Sequence, residues 1–160
     1  METRRSARVR LVAVALVVAV TTPAHAQRDI DELRTRAEQG DATAQFNLAR
    51  LYVTGSGVPL NETDADTEAT RWYHLAAAQG HAGAQHSLGL RYDTGAGVQE
   101  DDTAAVRWYR LSADQGHWEA QFRLGRMYAK GTGVSRDDAE AVRWYRLAAD
   151  QGHAEAQFNL

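Results

Sequence analysis

Four histidines are the residues in this chain whose type and spacing could most readily support chemistry. His81, His117 and His153 follow one another at intervals of 36 residues, and His86 stands five residues after the first of them. Imidazole nitrogens bind metals and transfer protons near neutral pH. The interval places the three periodic histidines one structural unit apart, which is about 10 Å when helices pack side by side. Since metal–nitrogen bonds are only about 2.0–2.1 Å long, we predict no shared metal site and assign these histidines to turns.

Two pairs of adjacent carboxylates, Asp101–Asp102 and Asp137–Asp138, are the next candidates for chemistry. Paired carboxylates serve glycoside hydrolysis, but each pair here directly precedes an amphipathic helical pattern. An Asp in that position accepts hydrogen bonds from free backbone N–H groups and favours the positive end of the helix dipole. The sequence contains no Gly-x-Ser-x-Gly, His-Glu-x-x-His or phosphate-binding glycine loop. We therefore predict a protein that is not an enzyme, with no catalytic residue, metal or cofactor.

A repeated phrase must position these residues. The sequence Gln-Gly-His-x-x-Ala-Gln occurs at 79–85, 115–121 and 151–157, and a related phrase begins at Gln39. The glycines of the three phrases are 36 residues apart, and the interval from the related phrase is 40. A fixed period of this size is typical of stacked repeat arrays, in which each unit buries its apolar face against the next.

One unit, residues 80–115, shows how the repeat is expected to fold. Ala84, Leu88 and Tyr92 recur at intervals of four and lie on one face of a first helix, called helix A. Two glycines end helix A, and a second helix, helix B, carries the adjacent pair Trp108-Tyr109. Equivalent residues recur in the neighbouring units, so we predict that they pack the hairpins together. The predicted packing residues are Leu48, Tyr52, Trp72, Tyr73, Leu88, Tyr92, Trp108, Tyr109, Leu124, Tyr128, Trp144 and Tyr145.

These positions resemble the Sel1-like repeat, a relative of the tetratricopeptide repeat. The resemblance implies an all-α fold, a right-handed α/α superhelix (solenoid) of antiparallel helical hairpins, and a scaffold that binds a protein or peptide. The units are expected at 41–79, 80–115 and 116–151, with a capping helix at 27–40 and an incomplete fourth repeat at 152–160. The pattern in the second unit is Ala84-Gln85, Leu88-Gly89, Tyr92, Gly95, Gly97-Val98, Asp101, Ala105, Trp108-Tyr109 and Ala113.

The first unit is longer than the others. Gly57 and Trp72 are 15 residues apart, whereas the equivalent residues of the next two units are 11 apart. Four residues have therefore been added within 59–66. Insertions in repeat arrays map to loops on one face, which is often a binding face. Because lengthening a surface loop costs little free energy, we favour a tolerated loop.

The N-terminus is typical of a secretory signal peptide. Four arginines within residues 4–10 precede an uncharged run from 11 to 20, and Ala24 and Ala26 occupy the −3 and −1 positions of a cleavage site. The run is shorter than the roughly 20 apolar residues of a membrane span. We expect cleavage after Ala26, removal of residues 1–26 and no membrane span afterwards. The protein is then exported, to a bacterial periplasm or to the medium.

Composition excludes several kinds of site and partner. The absence of cysteine rules out disulfides and Cys-ligated metals. The net charge is −3, and removing residues 1–26 takes away four Arg and Glu2, leaving 14 basic and 20 acidic side chains, a net −6. A chain this acidic is not expected to bind nucleic acid or an anionic membrane surface. The excess of arginine over the single Lys130 indicates a GC-rich bacterial genome.

A second stripe on helix A is the predicted partner-binding surface. Phe46, Arg50, His86, Phe122 and Arg126 lie away from the Ala–Leu–Tyr face at 100° per residue. Aromatic residues beside arginines are common in binding hot spots. Two interpretations stay open, since the rings could instead pack between units. The alternative function is a cell-envelope accessory protein that contacts glycans or peptidoglycan, and it requires exposed Trp and Tyr faces.

Overall fold

The computed structural model describes residues 23–56 and 62–160, and all regular structure in these ranges is helical. The helices are α1 (Pro23–Glu38), α2 (Ala42–Thr54), α3 (Glu62–Ala78), α4 (Ala82–Thr94), α5 (Asp102–Asp114), α6 (Trp118–Lys130), α7 (Asp138–Asp150) and α8 (Ala154–Phe158). Three antiparallel hairpins, α2–α3, α4–α5 and α6–α7, follow one another, with α1 packed on α2 and α8 on α7. In each hairpin the first helix is helix A and the second is helix B. The prediction of an all-α solenoid of hairpins is confirmed.

The repeated Gln-Gly-His phrase forms the corner between successive units. Gly80 follows the end of α3 with φ +87°, a left-handed conformation that only glycine adopts without strain. The N–H groups of Gly80 and His81 donate to the carbonyls of Ala77 and Ala76, at 2.9 and 3.2 Å. This pair of bonds is a Schellman cap, which satisfies carbonyls left free at the helix end. Glycine in the phrase therefore turns the chain from helix B into the next helix A.

A buried glutamine on helix A accounts for the end of the same phrase. Gln85 is buried, and its Nε2 donates to the carbonyl of Ala77 at 3.3 Å. Its Oε1 accepts a bond of 2.7 Å from Nε2 of Gln115. Buried amides need such partners because an unpaired one is costly. Each amide thus links three consecutive helices, and the same arrangement recurs around Gln45 and Gln121.

Apolar side chains from helices A and B fill the space between them. Leu88 and Tyr109 are completely buried. Gly89 permits the close approach of that ring, since a Cβ at Gly89 would lie 2.5 Å from Cδ1 of Tyr109. Of the predicted packing residues, Tyr92 and Trp108 are half-buried. The buried ones are Leu48, Tyr52, Trp72, Tyr73, Leu88, Tyr109, Leu124, Tyr128, Trp144 and Tyr145.

The extra residues of the first unit lengthen a helix. Helix α3 has 17 residues, whereas α5 and α7 have 13 each. Four residues make about one turn of an α-helix, so the added turn leaves the following core positions facing nearly the same way. The predicted loop insertion is therefore wrong from residue 62 onward. The remainder of that segment, 57–61, lies outside the described residues.

The N-terminal helix begins earlier than predicted. A capping helix was expected within 27–40, and α1 instead runs from Pro23 to Glu38, across the predicted cleavage site after Ala26. Ala37 is buried and Leu33 packs against the same apolar cluster, so the end of α1 covers the first hairpin. Most of the predicted signal peptide, residues 1–22, lies outside the described part of the chain. Within the described part, every helix is too short or too polar to cross a membrane.

Candidate functional site

The rings of the predicted binding stripe lie at the corners between units. At each corner a ring from one helix A meets the histidine that precedes the next helix A, and we call these three contacts the ring joints. Each stripe ring also lies 5.7–5.8 Å from a helix-B tyrosine ring. These rings therefore pack between units. The ring joints are Phe46–His81, His86–His117 and Phe122–His153, with centroid distances of 4.5, 4.8 and 4.5 Å.

The arginines of the stripe lie over the phenylalanine rings. The guanidinium carbon of Arg50 is 5.9 Å from the centroid of Phe46, and that of Arg126 is 6.0 Å from Phe122. Cation–π contacts at such distances stabilise exposed sites by roughly 0.5–1 kcal/mol. Arg50 is exposed and Arg126 is half-buried, whereas Phe122 is buried. The part of the stripe that an outside molecule can reach is therefore its arginines.

A small cavity of about 100 Å³ lies between α4 and α6, beside Arg126. Three cations line it, Arg123, Arg126 and Lys130, and we call them the basic patch. The facing carboxylate is Asp93, which lies 3.8 Å from Nη1 of Arg123. Three positive groups beside one negative group leave a local positive charge on an otherwise acidic protein. Such a cavity suits an anionic group such as a carboxylate.

The sequence analysis missed two members of the basic patch, Arg123 and Lys130. The signal was present, because positions 123, 126 and 130 are spaced by three and four residues and share one helical face. Asp93 was not predictable in this role, since it comes from α4, 30 residues before Arg123.

The periodic histidines begin helices, as predicted, but one of them differs. Nδ1 of His81 accepts a hydrogen bond from the Ala84 N–H at 3.2 Å, and Nδ1 of His153 accepts one from Ala156 at 3.1 Å. These bonds cap α4 and α8. His117 also precedes a helix, but its ring makes no capping bond to the described residues.

His86 occupies the ring-joint position that Phe46 and Phe122 occupy in the other units. Burial, with smaller contributions from the charges of His117 and Arg123, lowers the pKa of His86 to about 4. The imidazole is therefore neutral at neutral pH, which suits a position otherwise filled by an apolar ring.

The paired carboxylates lie at helix starts. Oδ1 of Asp101 accepts a bond of 2.9 Å from the N–H of Ala104, and Oδ1 of Asp137 accepts two bonds of 3.0 Å at the start of α7. Asp138 forms an exposed ion pair with Arg136 at 2.9 Å, and that partner lowers the pKa of the Asp138 carboxyl. The capping role expected of these residues is the one that the structure gives them.

One buried charge was not predicted. Arg91 is 5% exposed, and its Nη1 donates to the carbonyls of Asp66 and Ala96 and to the Asp66 carboxylate, at 3.2, 2.9 and 3.0 Å. The equivalent residues in the neighbouring units are Leu51 and Met127. Aligning the units would have marked this position as an exception. The bonds join α4 to the longer helix α3, so we assign Arg91 a structural role.

Most tryptophan surface is covered. Trp72 and Trp144 are 5% and 2% exposed, and Trp108 is half-buried. The guanidinium carbon of Arg71 lies 4.2 Å from the ring centroid of Trp72. The most exposed indole, at 38%, is that of Trp118 at the start of α6. A glycan-stacking surface would need flat faces that Trp72 and Trp144 do not offer.

Comparison with known proteins identifies the repeat. The model of the Sel1 repeat matches residues 42–81, 82–117 and 118–153. No curated protein is significantly similar to the chain. Among solved structures, a Sel1 repeat protein from Oxalobacter formigenes is 43% identical, with a TM-score of 0.75 over 83% of this chain and 97% of that chain.

Two further structures have the same fold. A protective antigen of uropathogenic Escherichia coli strains, which displays an SLR fold, is 42% identical with a TM-score of 0.75; the match covers 80% of this chain but only 27% of that one. Helicobacter pylori cysteine rich protein B shares the fold at 17% identity, with a TM-score of 0.66 over 84% of this chain and 96% of that one. With three consecutive repeats matched across most of its length, this chain belongs to the Sel1 repeat family.

Proposed function

We propose that this protein is an exported scaffold that binds a protein or peptide segment through the helix-A face, with an acidic stretch of the partner at the basic patch. The Sel1 fold is typically a non-catalytic scaffold for protein interactions. The cavity lined by Arg123, Arg126 and Lys130 is the observation that carries the proposal.

Electrostatics supports an acidic segment at this position. The chain as a whole is negative, so most of its surface repels an acidic peptide. Attraction is concentrated where Arg123, Arg126 and Lys130 lie together, which fixes the register of a bound segment. Arginine also forms paired hydrogen bonds with carboxylates.

The arrangement of the A helices supports contact with several units. Helices α4 and α6, which belong to successive hairpins, contact one another directly. Close A helices support placing them on the inner side of a curved array, where an extended ligand touches consecutive repeats. Arg50 on α2 is exposed and adds a further cation to this side.

Export is proposed from the sequence alone. The basic head, the apolar run and the small residues before Gln27 support cleavage after Ala26. We expect protein recovered from the periplasm of an expressing bacterium to begin at Gln27, by intact mass. An uncleaved chain retained in the cytoplasm would contradict export without affecting the binding proposal.

Partner binding is tested by selecting peptides from a displayed random library against the full chain. We expect the selected peptides to be rich in Asp and Glu. Their affinity, measured by fluorescence anisotropy, should fall at least about tenfold for Arg123→Glu/Arg126→Glu, because a tenfold change needs only about 1.4 kcal/mol.

The matched control is Arg107→Glu/Arg146→Glu, which reverses two exposed charges on helices B and changes the net charge equally. We expect affinity within about twofold of the unaltered chain. Peptides without an acidic bias, or equal losses in both double variants, would contradict binding at the basic patch.

A further inference from the structure

The middle ring joint differs from the other two in its donor atoms. Each joint contains a ring from helix A, a histidine that precedes the next helix A, and the residue two positions after that histidine. In the first joint the last residue is Gly83, and in the third joint the helix-A ring is Phe122. Only the second joint combines two imidazoles with a carboxylate, from His86, His117 and Glu119.

The three side chains are already close together. One ligand atom from each of His86, His117 and Glu119 lies within 4.8 Å of the other two. Nδ1 of His117 is 3.4 Å from Oε2 of Glu119. All three residues are half-buried, so they are partly shielded from water but can be reached from it.

A second observation concerns the free nitrogen of His117. Nδ1 of His81 and Nδ1 of His153 are used to cap helices. Nδ1 of His117 is buried and has no hydrogen-bond partner among the described residues. A buried nitrogen without a partner is unusual, and its lone pair is available to a ligand.

We propose that His86, His117 and Glu119 form a binding site for a divalent transition metal of the Zn²⁺ class. Two imidazoles and one carboxylate are a donor set that Zn²⁺ uses with an open fourth position, and imidazole suits Zn²⁺, Cu²⁺ and Ni²⁺ better than Ca²⁺ or Mg²⁺. Bonds of about 2.0–2.1 Å to a tetrahedral ion place two nitrogens about 3.3 Å apart. The stacked rings, 20° from parallel, must therefore turn toward one another when the ion binds.

The site would join two repeats. His86 lies on α4, whereas His117 and Glu119 lie at the start of α6, so a bound ion links the second and third hairpins. Arg123 is the nearest opposing charge, and its guanidinium lies 3.8 Å from the carboxylate of Asp93. An ion that binds the folded chain preferentially raises its thermal stability.

The test is a zinc titration of the full chain, purified without a polyhistidine tag and stripped with a chelator. We expect one ion per chain by calorimetry, a rise in Tm with added ZnCl₂, and visible absorption bands of a nitrogen- and oxygen-ligated ion with Co²⁺. His86→Phe should lose at least about 30-fold in affinity and the Tm shift. This variant carries the residue of the equivalent joints, Phe46 and Phe122, so its metal-free fold should be retained by circular dichroism.

The control is His153→Asn, which removes the histidine of the joint that has Phe122 in place of the second imidazole. Asparagine also caps helices, and zinc binding should be unchanged. Equal zinc binding by His86→Phe and the unaltered chain, or no binding by the unaltered chain at 0.1 mM zinc (on the order of weak binding), would overturn the site. Neither result bears on peptide binding at the basic patch.

Discussion

Replacing Tyr109 with alanine lowers the free energy of unfolding by about 3–5 kcal/mol, the range typical of large aromatic residues removed from a core. Tyr109 is completely buried. Its ring fills the space above Gly89 and contacts His86 at 5.8 Å between centroids. Alanine leaves a cavity between α4 and α5 that the neighbouring helices cannot close without shifting. Urea unfolding followed by circular dichroism measures the change.

Tyr109→Phe is the matched control. It keeps the ring and removes only the hydroxyl, which donates to Asp93 at 3.3 Å. One hydrogen bond contributes about 0.5–1.5 kcal/mol, so the loss should be at most that large. Similar losses for the alanine and phenylalanine variants would show that the ring does not support the stack.

Replacing Gly133 with alanine destabilises the chain by about 2–5 kcal/mol. Gly133 has φ +66°, and a non-glycine residue in that conformation costs roughly 1–2 kcal/mol. A Cβ there would also overlap the carbonyl oxygen of Asp102, at the start of α5. Because that oxygen belongs to backbone, relieving the overlap requires α5 to move, and overpacking of this kind costs about 1–3 kcal/mol.

Gly152→Ala separates the two costs. Gly152 has φ +90°, but a Cβ there would meet no described heavy atom within 4 Å. Its loss should therefore be only the conformational part, about 1–2 kcal/mol. Equal destabilisation of the two variants, measured by thermal and urea unfolding, would mean that the approach of Gly133 to Asp102 contributes nothing.

The helices and the core were predictable because their signals are local and repeated. Leu48, Leu88 and Leu124 occupy one position in three units, and all three are completely buried. A spacing of four residues identifies a helical face without tertiary information. The 36-residue interval then predicts that each face meets its neighbour.

Contacts between units were harder to predict. His86 and His117 are 31 residues apart, and no local pattern indicates that their rings stack. Their contact depends on how one helix A meets the start of the next. For this reason the analysis of the 36-residue interval alone argued against a shared site among the periodic histidines, and did not consider a pair formed with His86.

The inserted segment shows a different limit. Counting residues located four extra positions before Trp72, but four residues fit either a longer loop or one more helical turn. Buried Arg91 also depends on this feature, because its carboxylate partner is Asp66 on the lengthened helix. Length alone could not predict that interaction.

Partner binding by the helix-A face is tested most directly by an NMR titration of the nitrogen-15-labelled chain with a selected acidic peptide. We expect amide shifts to concentrate on α6 from Arg123 to Lys130 and on α4 near Asp93, where the cavity lies. Signals around Arg107 on α5 and Arg146 on α7 should not move. Shifts confined to α5 and α7, with α6 unchanged at saturation, would contradict the proposed binding face.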